Sequence, residues 1–115
     1  MSNSSRRAAA ARLLKSAALF AALGDGTRLE IVAKLADGSQ QSITQLTAGA
    51  DVTRQAITKH LHVLETAGIV QSTKRGRETL FALQPRSLEE AQRALAAIAV
   101  QWDAALGRLK TFVEE

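Results

Sequence analysis

Residues 42–83 read SITQLTAGADVTRQAITKHLHVLETAGIVQSTKRGRETLFAL, and this stretch decides the fold. Ser42 with Gln45 three residues later forms a capping box, in which hydroxyl and amide each satisfy the other residue's backbone N–H. It predicts a short helix to about residue 48. Gly49-Ala50-Asp51 is a tight turn, and Thr53 caps a longer helix over residues 54 to 67. The core-facing set of that helix, Ala56, Ile57, Leu61 and Leu64, is spaced 1, 4 and 3, the rhythm of one helix face. Gly68 ends it as a left-handed C-cap. Beyond Gly68 the apolar period shortens to about 2. Residues 69–74 and 78–83 therefore predict two strands joined through Arg75-Gly76-Arg77, a glycine-centred hairpin turn. Short helix, turn, long helix and hairpin in that order make a winged helix-turn-helix.

Outward from this centre the chain is helical. Ala10, Leu13, Leu14, Ala17, Ala18 and Ala21 recur at helical spacing. They predict one helix over residues 6–23, with Arg6, Arg7, Arg12 and Lys15 near its start or on its outer face. Residues 1–5 are polar and are expected to fray. Gly24-Asp25-Gly26-Thr27 breaks the helix. A second follows with Leu29, Val32, Ala33 and Leu35 inward and Arg28, Glu30 and Lys34 toward water, until Asp37-Gly38 stops it. Pro85 ends the sheet, and a second capping box, Ser87 to Glu90, opens a last helix over 87–113. The fold class is mainly α with a two-stranded β-hairpin wing, in the order α-α-α-α-β-β-α. One domain over residues 1–115 is expected, with a helix-turn-helix at 42–67, a wing at 69–83 and a dimerisation helix at 87–113.

The composition agrees. A chain of 115 residues with 46% hydrophobic content suits one domain with a real core. Only 3% is aromatic, so alanine and leucine fill the interior, which favours helices. The absence of cysteine excludes disulfides, thiolate zinc, iron–sulfur clusters and thiol catalysis. Ser5-Arg6-Arg7 imitates a twin-arginine export signal, but Arg12 and Lys15 interrupt the apolar run and no small-residue cleavage site follows. No stretch reaches the roughly 18–20 apolar residues of a membrane span. A cytoplasmic protein is expected. There is no glycine-rich phosphate loop after a strand, no Ser/His/Asp arrangement and no metal set, so neither enzymatic activity nor a cofactor is expected.

The net charge of +4 suits a polyanion, and its useful part is concentrated. The non-core face of the long helix carries Arg54, Gln55, Thr58, Lys59 and His62, all hydrogen-bond donors, His62 when it presents a protonated nitrogen. Gln addresses adenine bidentately, Arg and Lys address guanine, and Thr meets a base edge or a phosphate. Thr53 and Arg54 lie at the electropositive helix N-terminus and suit a phosphate oxygen. Lys74, Arg75 and Arg77 crowd the hairpin and fit the DNA backbone or minor groove. Glu65 and Glu78 dilute the field, with Glu78 expected to face a wing cation. The partner is therefore double-stranded DNA and the function sequence-specific transcriptional regulation. A winged-helix protein-interaction module without base readout is the alternative, because a polar helix face and a basic turn are each ordinary when taken singly.

Leu23 to Arg28, Ile43 to Leu46, Thr53 to Leu61, Leu64 and Ala67 to Val70 together resemble the ArsR (arsenic-repressor-like) family of winged helix-turn-helix regulators. The resemblance covers about residues 15–85 and is densest at the long helix and its glycine stop. It implies a homodimer that binds an operator with twofold symmetry and represses transcription. It also implies that residues 53–66 form the reading helix and that His60 matches a histidine typical of that motif. His60 is expected at the edge of the DNA face, near a phosphate or locally hydrogen-bonded. Two departures stand out. Gly26 occupies a position where many members have proline, and the cysteines of the family's metal sensors are missing. His60 and His62 are spaced i,i+2, point to different faces and do not chelate, so no metal site is expected.

The last helix carries a seam. Leu88, Ala91, Leu95, Ile98, Trp102, Ala105, Leu109 and Phe112 are spaced 3, 4, 3, 4, 3, 4, 3, an a/d pattern over nearly four heptads. Leu106 and Val113 widen it. The seam predicts a homodimer, packing on the first helix of the same chain, or both. Nothing in the sequence identifies an inducer or an operator.

Overall fold

The computed structural model describes residues 3–114. In chain order the elements are α1 (Asn3–Lys15), α2 (Ala17–Leu23), α3 (Gly26–Leu35), β1 (Gln41–Ser42), α4 (Ile43–Thr47), α5 (Arg54–Thr66), β2 (Val70–Arg75), β3 (Glu78–Leu83) and α6 (Pro85–Glu114). They fall into two compact units, residues 18–88 and the two ends of the chain, up to residue 17 and from residue 89 onward.

Residues 18–88 form the winged helix-turn-helix. Ser42 accepts from Gln45 N at 3.2 Å while Gln45 Oε1 accepts from Ser42 N at 2.8 Å, the capping box expected there. Thr53 Oγ1 accepts from Ala56 N at 3.1 Å and starts α5. The apolar stripe of α5 then does what its spacing predicts, with Ile57, Leu61 and Leu64 fully buried. Gly68 ends α5 with φ +78. Its N–H donates to Glu65 O at 3.0 Å and that of Ile69 to Leu64 O at 2.9 Å, the paired bonds of a Schellman cap. Leu64 and Ile69 are both buried, so the cap also closes a hydrophobic contact.

The hairpin pairs Val70 with Leu83 through to Arg75 with Glu78, leaving Gly76 and Arg77 as a two-residue loop. Gly76 has φ +64 and Arg77 does not share the left-handed region, the pattern of a type II′ turn. Ile31 and Leu35 of α3 and Leu46 of α4 join the α5 stripe and Ile69 in a core of branched aliphatics exposed by less than 2%. Burying each contributes roughly 1.5–3 kcal/mol.

The remaining unit is α1 with most of α6. Ala9, Ala91 and Ala94 are its buried residues, and Gln101 Nε2 donates to Ser5 O at 3.3 Å. On α6, Arg93–Glu89 at 3.9 Å and Lys110–Glu114 at 4.0 Å are exposed i,i+4 ion pairs of small energetic weight.

Several expectations need correction. Asn3, Ser4 and Ser5 are helical rather than frayed; Met1 and Ser2 lie outside the described residues. The helix expected over 6–23 is two helices. Ser16 N is shared between Arg12 O and Leu13 O, both at 3.1 Å, and this tightened turn separates α1 from α2. The sheet has three strands in the order β1-β3-β2, because Gln41 and Ser42 pair with Phe81 and Leu80. Ile31, not Leu29, is the buried partner of Leu35 in α3; Leu29 and Ala33 are exposed. The last helix begins at Pro85, whose fixed φ suits a first helical position. Ser87 is not its cap: its hydroxyl donates to Gly68 O at 2.5 Å.

Candidate nucleic-acid interface

The buried stripe of α5 sends its other face to water. Arg54, Gln55, Thr58, Lys59 and His62 are all exposed. The side chains of Gln55, Lys59 and His62 make no hydrogen bond to other described residues, so their polar ends are open to a ligand. Thr58 differs from the expectation of a free donor, because its hydroxyl donates back to Arg54 O at 2.9 Å. It presents its methyl group and lone pairs outward. The Thr53 oxygen is occupied by the cap, leaving its hydroxyl proton available.

His60 is half-buried and turned toward the α2–α3 junction. Its Nδ1 lies 3.3 Å from Arg28 Nη1 and 3.8 Å from Asp25 Oδ2. Arg28, expected in water, instead donates its Nε to Ala22 O at 2.5 Å and an Nη2 to Ala21 O at 3.5 Å. Asp25 caps α3 by accepting from Arg28 N at 3.0 Å. That backbone donor, aided by the charge of Arg28 and the His60 ring, holds the Asp25 carboxyl below the usual carboxylate range. The Asp25/Arg28 pair was missed as part of the site. Its one sequence signal is the acid three residues before the arginine, the spacing of an N-cap.

The wing cations are exposed but do not act as one block. Lys74 stands opposite Thr79 and Arg75 opposite Glu78, and successive strand residues face opposite sides. Arg75 therefore has the carboxylate of Glu78 as its cross-strand neighbour. Glu65, the other acid near this face, accepts from Ser72 Oγ at 2.5 Å. Arg77, in the loop, turns toward the helix-turn-helix. It lines a notch of about 180 Å³ with Thr44, Arg54, Glu78 and Thr79. Arg54 Nη1 donates to Thr44 Oγ1 at 2.9 Å. The fold thus joins α4, α5 and the hairpin at one concavity, with Thr44 as a member the sequence did not single out.

On α6 the seam is unevenly covered. Ala91 is buried and Leu88, Ile98 and Ala105 are half-buried, whereas Leu95 is 54%, Trp102 65%, Leu109 59% and Phe112 78% exposed. Val100, Leu106 and Val113 are exposed too. Among the described residues no group of three His, Asp or Glu side chains is placed to hold a metal ion. No described helix is long and apolar enough to cross a membrane.

Residues 23–73 match a family of helix-turn-helix domains. The chain is 42% identical over 66 residues to YuzN, an uncharacterised HTH-type transcriptional regulator of Bacillus subtilis. The match covers 52% of this chain and 72% of that one. An HTH-type regulator of Methanocaldococcus jannaschii is 36% identical over 76 residues, with 66% of this chain and 85% of the relative covered. Among solved structures, an ArsR-like transcriptional regulator from Rhodococcus sp. RHA1 superposes with a TM-score of 0.73 at 39% identity. It spans 86% of this chain and 92% of its own.

Proposed function

The chain belongs to the ArsR-like family of helix-turn-helix transcriptional regulators, and from that membership we propose a homodimeric repressor that reads a twofold-symmetric operator through α5. The observation that carries this is the free donor set of Gln55, Lys59 and His62 on the α5 face opposite Ile57, Leu61 and Leu64. These three side chains, with the outer surface of Thr58, address base edges in the major groove. Thr53 and Arg54 at the helix start, and Lys74, Arg75 and Arg77 on the wing, engage the phosphate backbone. His60 supports the reading helix from behind through Arg28.

The exposed seam of α6, from Leu95 to Phe112, supports the dimer. Large apolar side chains in a row on one helix mark a surface made to be covered, and a twofold pair is the commonest way for a chain to cover its own surface. A dimer seated on an operator excludes the transcription machinery from overlapping DNA, which is repression. Work at DNA, together with bacterial and archaeal relatives, supports the cytoplasm as its compartment.

The test is selection of binding sites from random duplex DNA. Recovered sequences should carry two inverted half-sites about one helical turn, or a multiple of it, apart. Gln55→Ala should lose roughly 1–3 kcal/mol of discrimination at one base pair per half-site while keeping non-specific affinity. Recovery of no common sequence would favour a protein-interaction module instead.

A further inference from the structure

Arg54 opens α5 and Arg77 sits in the hairpin loop, yet both residues line the same 180 Å³ notch. Two guanidiniums brought to one concavity repel one another, and an anion between them turns that repulsion into attraction. The direction of Arg54 is set from the helix-turn-helix side. Thr44 Oγ1 accepts from Arg54 Nη1 at 2.9 Å, which leaves the threonine's own hydroxyl proton free to be donated. Thr79 adds a second hydroxyl to the wall. The one acid on the rim, Glu78, stands opposite Arg75 in the hairpin register.

A phosphodiester matches this set of groups. It offers two non-bridging oxygens that share one negative charge, and arginine binds such oxygens through paired N–H donors. Hydroxyl donors from Thr44 and Thr79 complete a mainly polar shell, whose one apolar residue, Ile43, is aliphatic and offers no aromatic face for a base to stack on. Resting on the reading of α5 and the wing as the DNA-facing surface, we propose that Arg54 and Arg77 clamp one and the same backbone phosphate, with Thr44 as the positioning residue. The reading helix and wing are then fixed to a common point on the DNA, which sets the angle at which α5 enters the groove. Arg77 thereby has a different task from Lys74 and Arg75, which add attraction without sharing a phosphate with α5.

The experiment replaces each phosphate of a selected duplex, one at a time, by a neutral methylphosphonate. Binding is measured for the full chain and for Arg54→Ala, Arg77→Ala, Lys74→Ala and Thr44→Val. One position should weaken the unaltered protein roughly tenfold, about 1.4 kcal/mol. At that position Arg54→Ala and Arg77→Ala should each lose less than about twofold, because the partner charge is already missing. Lys74→Ala should keep the whole loss. Thr44→Val should show a reduced loss at that one phosphate, and Thr44→Ser should restore it. All the altered side chains are exposed, so unchanged thermal melting should accompany these effects. The clamp is overturned if Arg54→Ala and Arg77→Ala become insensitive at two different phosphates, or if either keeps the full loss. Failure of the unaltered protein to bind any duplex overturns the DNA reading itself, before any variant is compared.

Discussion

The guanidinium of Arg28 on α3 lies 3.3 Å from Nδ1 of His60 on α5. A guanidinium only donates, so this contact is a hydrogen bond in the tautomer that keeps the Nδ1 lone pair free and carries the ring proton on Nε2. A ring protonated at Nδ1 faces Asp25 Oδ2 at 3.8 Å instead. The same side chain donates to Ala22 O and Ala21 O, carbonyls in the last turn of α2, where Ala21 O also accepts from Gly24 N at 3.2 Å. Arg28 thus ties the end of α2, the start of α3 and the middle of α5 together.

Arg28→Ala should therefore destabilise the protein by about 1.5–3 kcal/mol, the range for losing charge-assisted hydrogen bonds. His60→Ala should cost less. Urea unfolding of both single variants and the double variant should give a coupling of roughly 0.5–3 kcal/mol. Strictly additive effects would show that the Arg28–His60 contact contributes nothing to the fold.

Acid should act on the same junction through Asp25. Its carboxyl titrates below the ordinary value in the folded protein because the Arg28 backbone N–H, then the Arg28 charge and His60, favour the ionised form. A depressed folded value means that the unfolded chain binds protons first as pH falls. The contribution of Asp25 is complete above the ordinary carboxylate value, declines below it, and is gone once the pH has passed below the folded value. Asp37 follows the same rule through the Ser39 side chain and backbone N–H. Asp25→Asn should flatten the acid limb of the stability–pH curve and leave its shape above pH 6 unchanged. An acid limb identical to that of the unaltered protein would remove Asp25 from this role.

The parts of this fold legible in the sequence are those set by local chemistry. The Ser42/Gln45 box, the Thr53 cap, the α5 stripe and the Gly68 stop involve residues a few positions apart, and each forms as its spacing predicts. What escaped depends on distant partners. Gln41 and Ser42 become a strand only because Phe81 and Leu80 pair with them, while Ser42 also serves as a helix cap. Nothing around Ser16 breaks a helix by composition, so the α1–α2 division stayed hidden in an alanine-rich run. Periodicity sorted Arg28 to the water side, yet its long stem carries the charge back to carbonyls six and seven residues earlier. For the candidate site, the α5 donors were legible by subtraction from the core. The Thr44–Arg54–Arg77 notch was not, because it is made by bringing a short helix, a long helix and a hairpin loop together.

Gly68 joins a backbone requirement to a packing one. Its φ of +78 is left-handed, and a Cβ added there would stand 3.2 Å from Ser87 Oγ. The left-handed conformation costs an L-residue roughly 1–2 kcal/mol. The Ser87 hydroxyl, held by Gly68 O, would also have to shift. Gly68→Ala should lower stability by about 1.5–3 kcal/mol, the sum of that strain and of part of one hydrogen bond. If Ser87→Ala in the Gly68→Ala background recovers some of the loss, the close approach is a cause; if it recovers none, the backbone conformation accounts for the whole effect.

The α6 seam allows its two possible partners to be separated. Leu109 and Phe112 are 59% and 78% exposed in the single chain, so a charge placed there costs the isolated protomer little. If the seam joins two subunits, Leu109→Glu and Phe112→Glu should halve the mass seen by sedimentation and leave the monomer folded. Operator affinity should then fall by at least about 10²-fold, because two linked half-site contacts become independent ones. Trp102, 65% exposed in the protomer, should emit at longer wavelength in these variants than in the assembled protein. Lys110→Glu, off the seam, should leave the mass unchanged. If the seam packed instead on α1 of its own chain, the same glutamates would lower the melting temperature without changing the mass. The measured pair, mass and melting temperature, therefore assigns the seam to one partner or to both.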